Sequence, residues 1–334
     1  MATHLERYAE PAAEARRSMV RLIAADGSLT DPAWRRAFED VPRHLFVPYY
    51  FVNGVGGYER LWCEDPDPVR RERWLRGAYY DGPLATRVRD GELISSSSQP
   101  SLMARMLQAL EARYGDTVLE IGAGTGYNAA LLSHRLGDER ITTVDMEAEI
   151  TDSARAHLAA AGYRPVVVTG DGARGCPERA PFDRIIVTCT LPYIPYDWLA
   201  QCRPGARILA PLSTGLIALT LRDDERGGRI AEGRFLRSSA YFVSLRGSAA
   251  APRRRAAALP RRVLDSDLFR FLLTLTADSL DPREALALWE RERRPGRERF
   301  GVTVGGGRQW AWLDDPAGPY VWPLGPPEAP EERP

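Results

Sequence analysis

Val118-Leu119-Glu120-Ile121-Gly122-Ala123-Gly124-Thr125-Gly126-Tyr127-Asn128-Ala129-Ala130-Leu131-Leu132 writes a strand, a glycine turn and a helix start with nothing between them. Val118, Leu119 and Ile121 form a short apolar run of the kind buried on both faces of a parallel sheet, and Glu120 is the lone carboxylate within it. Glycines at 122, 124 and 126 let the backbone turn sharply and approach a ligand that a Cβ would push away. The helix that follows turns unpaired N–H groups and a positive dipole end toward whatever sits over the turn, which favours an anionic or carboxylate-bearing ligand.

The spacing selects among cofactors. A dinucleotide fingerprint reads G-x-G-x-x-G, whereas this turn reads G-x-G-x-G with Tyr127 in the third glycine's place, which favours S-adenosylmethionine over NAD. A phosphate loop is excluded, because no Gly-Lys-Ser/Thr ends the turn and the chain contains no lysine. The competing account is a glycine-rich turn that binds nothing. Downstream, Ile141 to Val144 is a β-branched strand ending in Asp145, about twenty residues past the glycines, where such folds place a carboxylate on ribose hydroxyls. Asp145 also suits the cap of the next helix, Glu147 to Ala161. Val166 to Thr169 and Arg184 to Thr188 supply two more strands, bringing Asp171, Gly172 and Thr188 to the same rim. The alternation predicts a doubly wound, Rossmann-like α/β sheet with a helical amino-terminal cap and a small α+β carboxyl-terminal extension.

The balance of 45 basic and 45 acidic residues argues against nucleic-acid binding through phosphate neutralisation. No apolar run approaches membrane-spanning length and the amino terminus lacks a signal-peptide layout, so a cytoplasmic protein without membrane association is expected. Cysteines at 63, 176, 189 and 202 lack the C-x-x-C spacing of a zinc site, which predicts free thiols and no metal. Residues 5 to 24 and Asp31 to Phe38 read as helices, the second capped by Asp31 with Pro32 in its first turn. Val41 to Pro48, with a proline near each end, is expected to run extended, with His44 as a packed core residue rather than a base. Residues 53 to 77 read as a long surface excursion with room for one helix. Ser95-Ser96-Ser97-Ser98 precede a helix opened by Pro100, so their hydroxyls either cap it or face a ligand. Beyond a linker at 247–262, helices at Asp265 to Leu275 and Pro282 to Arg294 precede short strands. There Trp310, Trp312 and Trp322 are expected to form a small core rather than a recognition surface, and Pro326 to Pro334 a disordered tail. The domains expected are 1–90, 91–246 and 263–334.

Over residues 30 to 245 the chain resembles the protein L-isoaspartyl O-methyltransferase family. Val41 to Pro48, Tyr80-Asp81-Gly82-Pro83-Leu84, Ser98-Gln99-Pro100 with Met103 to Met106, Pro181 to Thr188 and Arg203-Pro204-Gly205 are similar to its motifs. The resemblance implies that Ser98 lies nearest the methyl-transfer site, that Gly122 to Gly126 hold the methionine end of S-adenosylmethionine, that Asp145 takes the ribose, and that Asp171 and Gly172 lie by the adenine. Ser97, Gln99, Glu120, Ala123, Asn128, Met146 and Thr188 complete the implied cofactor shell. Where the family has threonine-isoleucine before the serine this chain has Ser96-Ser97, and it continues past Gly247. These features resemble a subgroup encoded beside ATP-grasp enzymes that tailor ribosomal peptides (graspetides). That resemblance implies esterification of an aspartate in a modified precursor peptide, closing to an aspartimide, with the carboxyl-terminal region reading the peptide. The alternatives are isoaspartyl repair of damaged proteins and a catalytically inactive cofactor-binding partner.

Overall fold

The fold is that of a computed structural model, which describes residues 8–54, 57–89, 91–224, 227–245 and 259–325. The chain forms two compact units, Met1–Thr188 and Cys189–Pro334.

The first unit begins with helices α1 (Ala9–Ala25) and α2 (Pro32–Asp40). Asp31 caps α2 by accepting from the Ala33 and Trp34 amides, and Met19, Ile23, Trp34 and Phe38 are buried. Residues Arg43–Leu45 form a 3₁₀ turn rather than an extended run. A proline restricts only the residue before it, so Pro42 and Pro48 leave 43–45 free to turn. The excursion expected at 53–77 holds the one helix it had room for, α3 (Pro68–Ala78), but that helix is preceded by a hairpin of β1 (Tyr49–Gly54) with β2 (Gly57–Trp62) where loop was expected. Tyr50, Leu61 and Trp74 are buried there, and apolar burial overrides the loop-like composition. Strands β3 (Leu84–Arg89) and β4 (Glu92–Ser97) complete an antiparallel sheet of order β2-β1-β3-β4. The serine run therefore lies mostly in a strand, with Ser95 and Ser97 buried and Ser96 half-buried between them. Helix α4 (Pro100–Ala109) follows.

The glycine turn belongs to a second, parallel sheet: β5 (Val118–Ile121), β6 (Ile141–Asp145), β7 (Val166–Thr169) and β8 (Phe182–Val187), with α5 (Tyr127–Leu136) after β5 and α6 (Ala148–Ala160) after β6. The pairings place β5 between β6 and β8, with β7 beyond β6, so the chain reverses its direction of travel beside β5. That is where open α/β sheets bind ligands, and all four residues of β5 are buried.

The second unit holds α7 (Tyr196–Ala200), β9 (Cys202–Leu212), β10 (Gly215–Asp223), β11 (Arg229–Ser239), α8 (Arg261–Leu264), α9 (Asp267–Leu275), α10 (Pro282–Arg291), β12 (Phe300–Gly305), β13 (Arg308–Leu313) and β14 (Val321–Pro323). Its strands pair antiparallel in chain order. Because β12 pairs with β11 from Ile230↔Gly305 to Arg234↔Gly301, the carboxyl-terminal strands extend the sheet begun by β9, and the chain divides after Thr188 rather than at the expected 246/247. Phe271 of α9 packs edge-on against Phe235 at 4.8 Å and Phe300 at 5.5 Å. Trp312 and Trp322 are buried, while half-buried Trp310 donates its indole N–H to the Pro316 carbonyl at 3.4 Å. Most of the expected linker, 247–258, and the tail 326–334 lie outside the described residues. None of the four cysteines is in a disulfide, no described helix is long and apolar enough to cross a membrane, and no described cluster of His, Cys, Asp and Glu is arranged to hold a metal.

Candidate active site

The three glycines adopt left-handed φ of +97°, +51° and +87°, a conformation that disfavours a side chain at each. What a Cβ would meet differs. At Gly122 it would lie 2.6 Å from Thr188 Oγ1, and at Gly126 it would lie 3.2 Å from Leu158 Cγ and 3.3 Å from the Ala154 carbonyl. Those two positions are fixed by the protein's own packing, not by ligand approach as the sequence suggested. At Gly124 a Cβ would make ordinary contact, 3.4 Å from the Ser96 carbonyl and 3.9 Å from Ser95 Oγ, so this glycine faces β4. Thr188 Oγ1 donates to the Gly122 carbonyl at 2.7 Å, placing Thr188 as a clamp on the turn.

Asp145, at the end of β6, is 8% exposed, and its Oδ2 accepts from the Gly124 amide at 3.1 Å. It does not cap α6, whose N-cap residue is Glu147 without a side-chain bond. Glu120 is fully buried, and its Oε1 accepts from Asn128 Nδ2 at 2.7 Å. Burial pushes the Glu120 carboxyl up to about 7, with the nearby Asp145 charge acting the same way. Glu120 and Asn128 thus brace the turn from inside, and Glu120 offers no exposed surface to a ligand. Ala123 is buried in the turn, and Met146 is 38% exposed beside Asp145. Asp171 is exposed and accepts from the Ala173 amide at 2.9 Å, and Gly172 is buried.

The opposite wall is the end of β4. Ser98 is half-buried, and its carbonyl accepts from Arg43 Nη2 at 3.1 Å; Ser97 Oγ lies 3.3 Å from the same nitrogen. No serine caps α4. That role falls to Asp81, whose Oδ1 accepts from the Ser101 amide at 2.8 Å and whose Oδ2 accepts from Gln99 Nε2 at 3.2 Å. Arg43 and Asp81 were not distinguished within their motifs, because neither reaches its partners through local spacing. His44 pairs with the Tyr79 hydroxyl through Nδ1 at 2.8 Å, and burial lowers it to about 4, so it is a neutral core residue.

These residues fit an S-adenosylmethionine-like group. A left-handed glycine turn opens the first turn of α5, Gly124 carries no side chain on the face toward β4, and the Asp145 carboxylate stands at the end of β6 beside that turn, accepting from the Gly124 amide.

A family model described as protein-L-isoaspartate(D-aspartate) O-methyltransferase matches residues 67–246. A protein-L-isoaspartate O-methyltransferase from Aeropyrum pernix is 35% identical over 72% of this chain and 83% of its own length. One from Methylorubrum extorquens is 36% identical over 70% of this chain and 90% of its own length. A solved structure titled protein-L-isoaspartate O-methyltransferase shares the fold with a TM-score of 0.59 at 22% identity, covering 92% of this chain and 98% of that one. A second, from Plasmodium falciparum and solved with S-adenosyl-L-homocysteine, gives 0.51 at 12% identity, covering 70% of this chain and 99% of that one.

Proposed function

The chain belongs to the protein-L-isoaspartate(D-aspartate) O-methyltransferase family and is an S-adenosylmethionine-dependent carboxyl O-methyltransferase, and from that premise we propose that it esterifies the free α-carboxylate of L-isoaspartyl residues in peptides or proteins. The observation that carries the reading is the extent of the family match, since residues 67–246 include both Asp81 with the Ser95–Ser98 wall and the glycine turn with Asp145 and Thr188.

The site assignments are those that the family resemblance implies. The amides of Gly122 to Gly126, with Ala123, hold the amino-acid end of the cofactor; Asp145 takes the ribose; Met146, Asp171 and Gly172 border the adenine; Ser97 and Gln99 close the side toward β4. When bound, S-adenosylmethionine supplies an electrophilic methyl group that a carboxylate oxygen accepts. A carboxylate needs no deprotonation, so the chain's contribution is alignment and exclusion of water. Ser98 therefore positions the accepting carboxylate, with Asp81 fixing the backbone just beyond it. Glu120, Asn128 and Thr188 act through the shape of the turn.

Methylation of an aspartate in an ATP-grasp-modified precursor, followed by aspartimide closure, is the second reading, and the four consecutive serines favour it. Its other support, a carboxyl-terminal region foreign to repair enzymes, is weakened by a solved isoaspartate methyltransferase whose fold spans 92% of this chain, which necessarily reaches past residue 246. Mass spectrometry on twin peptides differing only in Asp or isoAsp separates the two. One methyl added to the isoaspartyl peptide, followed by loss of methanol as the next backbone nitrogen closes on the ester, is expected. Methylation of a normal aspartate alone would move the assignment to the precursor-peptide reading.

A further inference from the structure

Arg43 has no exposed surface, and among the described residues it forms no ion pair. Burying a guanidinium is costly, and burial lowers this one to about 10, with Tyr127 and the nearby Asp81 carboxylate acting the other way. What compensates is a fan of carbonyl oxygens from two segments distant in sequence. Nη1 donates to the carbonyls of Ala78 at 2.9 Å and Tyr80 at 3.1 Å. Nη2 reaches the carbonyls of Gly82 at 3.3 Å and Ser98 at 3.1 Å, the Ser97 hydroxyl at 3.3 Å and, weakly, the Ser97 carbonyl at 3.5 Å. A planar fork serves this geometry; a point charge or an apolar side chain does not.

The two segments so joined are those that bracket Ser98. Segment 78–82 carries Asp81, which holds Gln99 and the Ser101 amide, while Arg43 itself holds the Ser98 carbonyl. Ser98 is thus fixed from both sides, and both fixings depend on the arginine. We propose that Arg43 is the positioning residue for methyl transfer, setting the Ser97–Ser98 backbone against segment 78–82 so that the Ser98 hydroxyl is presented at the reaction site. The kinetic part of this proposal rests on the isoaspartyl methyltransferase reading; the structural part does not.

Arg43→Lys keeps the charge and loses the fork, and Ser97→Ala keeps the arginine and removes one acceptor. For Arg43→Lys, kcat on an isoaspartyl peptide is expected to fall about tenfold or more, with the S-adenosylmethionine Kd within about threefold of wild type. Hydrogen exchange should quicken at residues 78–82 and 97–101 and stay unchanged at 121–126. Ser97→Ala should shift kcat the same way by about two- to threefold. An unchanged kcat in Arg43→Lys, or global loosening that lowers cofactor affinity and activity together, makes Arg43 merely structural and overturns the proposal. If the wild-type protein methylates no isoaspartyl peptide, the functional reading falls, and the exchange contrast alone decides: local loosening supports the tie, and unchanged or global exchange refutes it.

Discussion

Both units are built around glycines in crowded places, but the crowding differs. In the second unit a Cβ on Gly233 would lie 1.8 Å from the Ala218 carbonyl oxygen, and one on Gly301 would lie 2.1 Å from Trp312 Cζ2. Gly301 lets its strand pass against the buried Trp312 indole, and Gly233 lets its strand approach the backbone of β10. In the first unit Gly122 and Gly126 serve packing in the same way, whereas Gly124 meets only ordinary contacts and donates its amide to Asp145. A glycine-rich stretch is therefore not by itself a ligand signature. What separates Gly124 from the packing glycines is that its Cβ would meet only ordinary contacts, where theirs would press on a neighbour.

The largest effect should come from filling a packing position. Gly301→Val would drive Trp312 from its place and is expected to cost about 3 kcal/mol or more, read from denaturant midpoints. Gly124→Arg should leave the fold intact by circular dichroism yet weaken S-adenosylmethionine about a hundredfold or more by calorimetry, since a long side chain would enter the space facing β4. Equal destabilisation by the two would erase the distinction between them.

Much of the first unit was legible because its signals are local. The strand, turn and helix at 118–132, the acidic ends of β6 and β7, and the Asp31 cap are written in adjacent residues. The hairpins at 49–62 and 84–97 were not legible, nor was the join of β12 to β11, because pairing between such segments leaves no mark in either alone. Arg43 belongs to the same class, since its acceptors lie 35 to 55 residues away and a single arginine near prolines looks like surface charge. Deleting residues 263–334 would remove the β11–β12 pairing. It would strip β11 of its neighbour and expose Phe235, so that deletion tests folding of the second unit before it tests substrate recognition.

Glu120 sharpens the comparison through pH. Its folded value, raised to about 7 from an ordinary value of 4.5, means that the native state holds a proton that the unfolded chain releases. Its contribution to stability is complete below about 4.5 and is lost as pH rises through about 7. Glu120→Gln should remove up to about 3 kcal/mol of that pH dependence, measured as unfolding free energy across the window. Smallest of all, Gly124→Ala should cost about 1 kcal/mol, because its Cβ meets only ordinary contacts and only the φ of +51° is strained.

On the proposed function, the face between Gly124 and the end of β4 brings cofactor and substrate carboxylate together, with Ser98 acting on the transfer rather than on cofactor binding. Ser98→Ala tests it in one comparison of S-adenosylmethionine affinity with kcat on an isoaspartyl peptide. An unchanged Kd with kcat lowered about tenfold, roughly 1.4 kcal/mol of lost transition-state stabilisation, is predicted. An unchanged kcat, or a loss of affinity that accounts for the whole loss of rate, would contradict it.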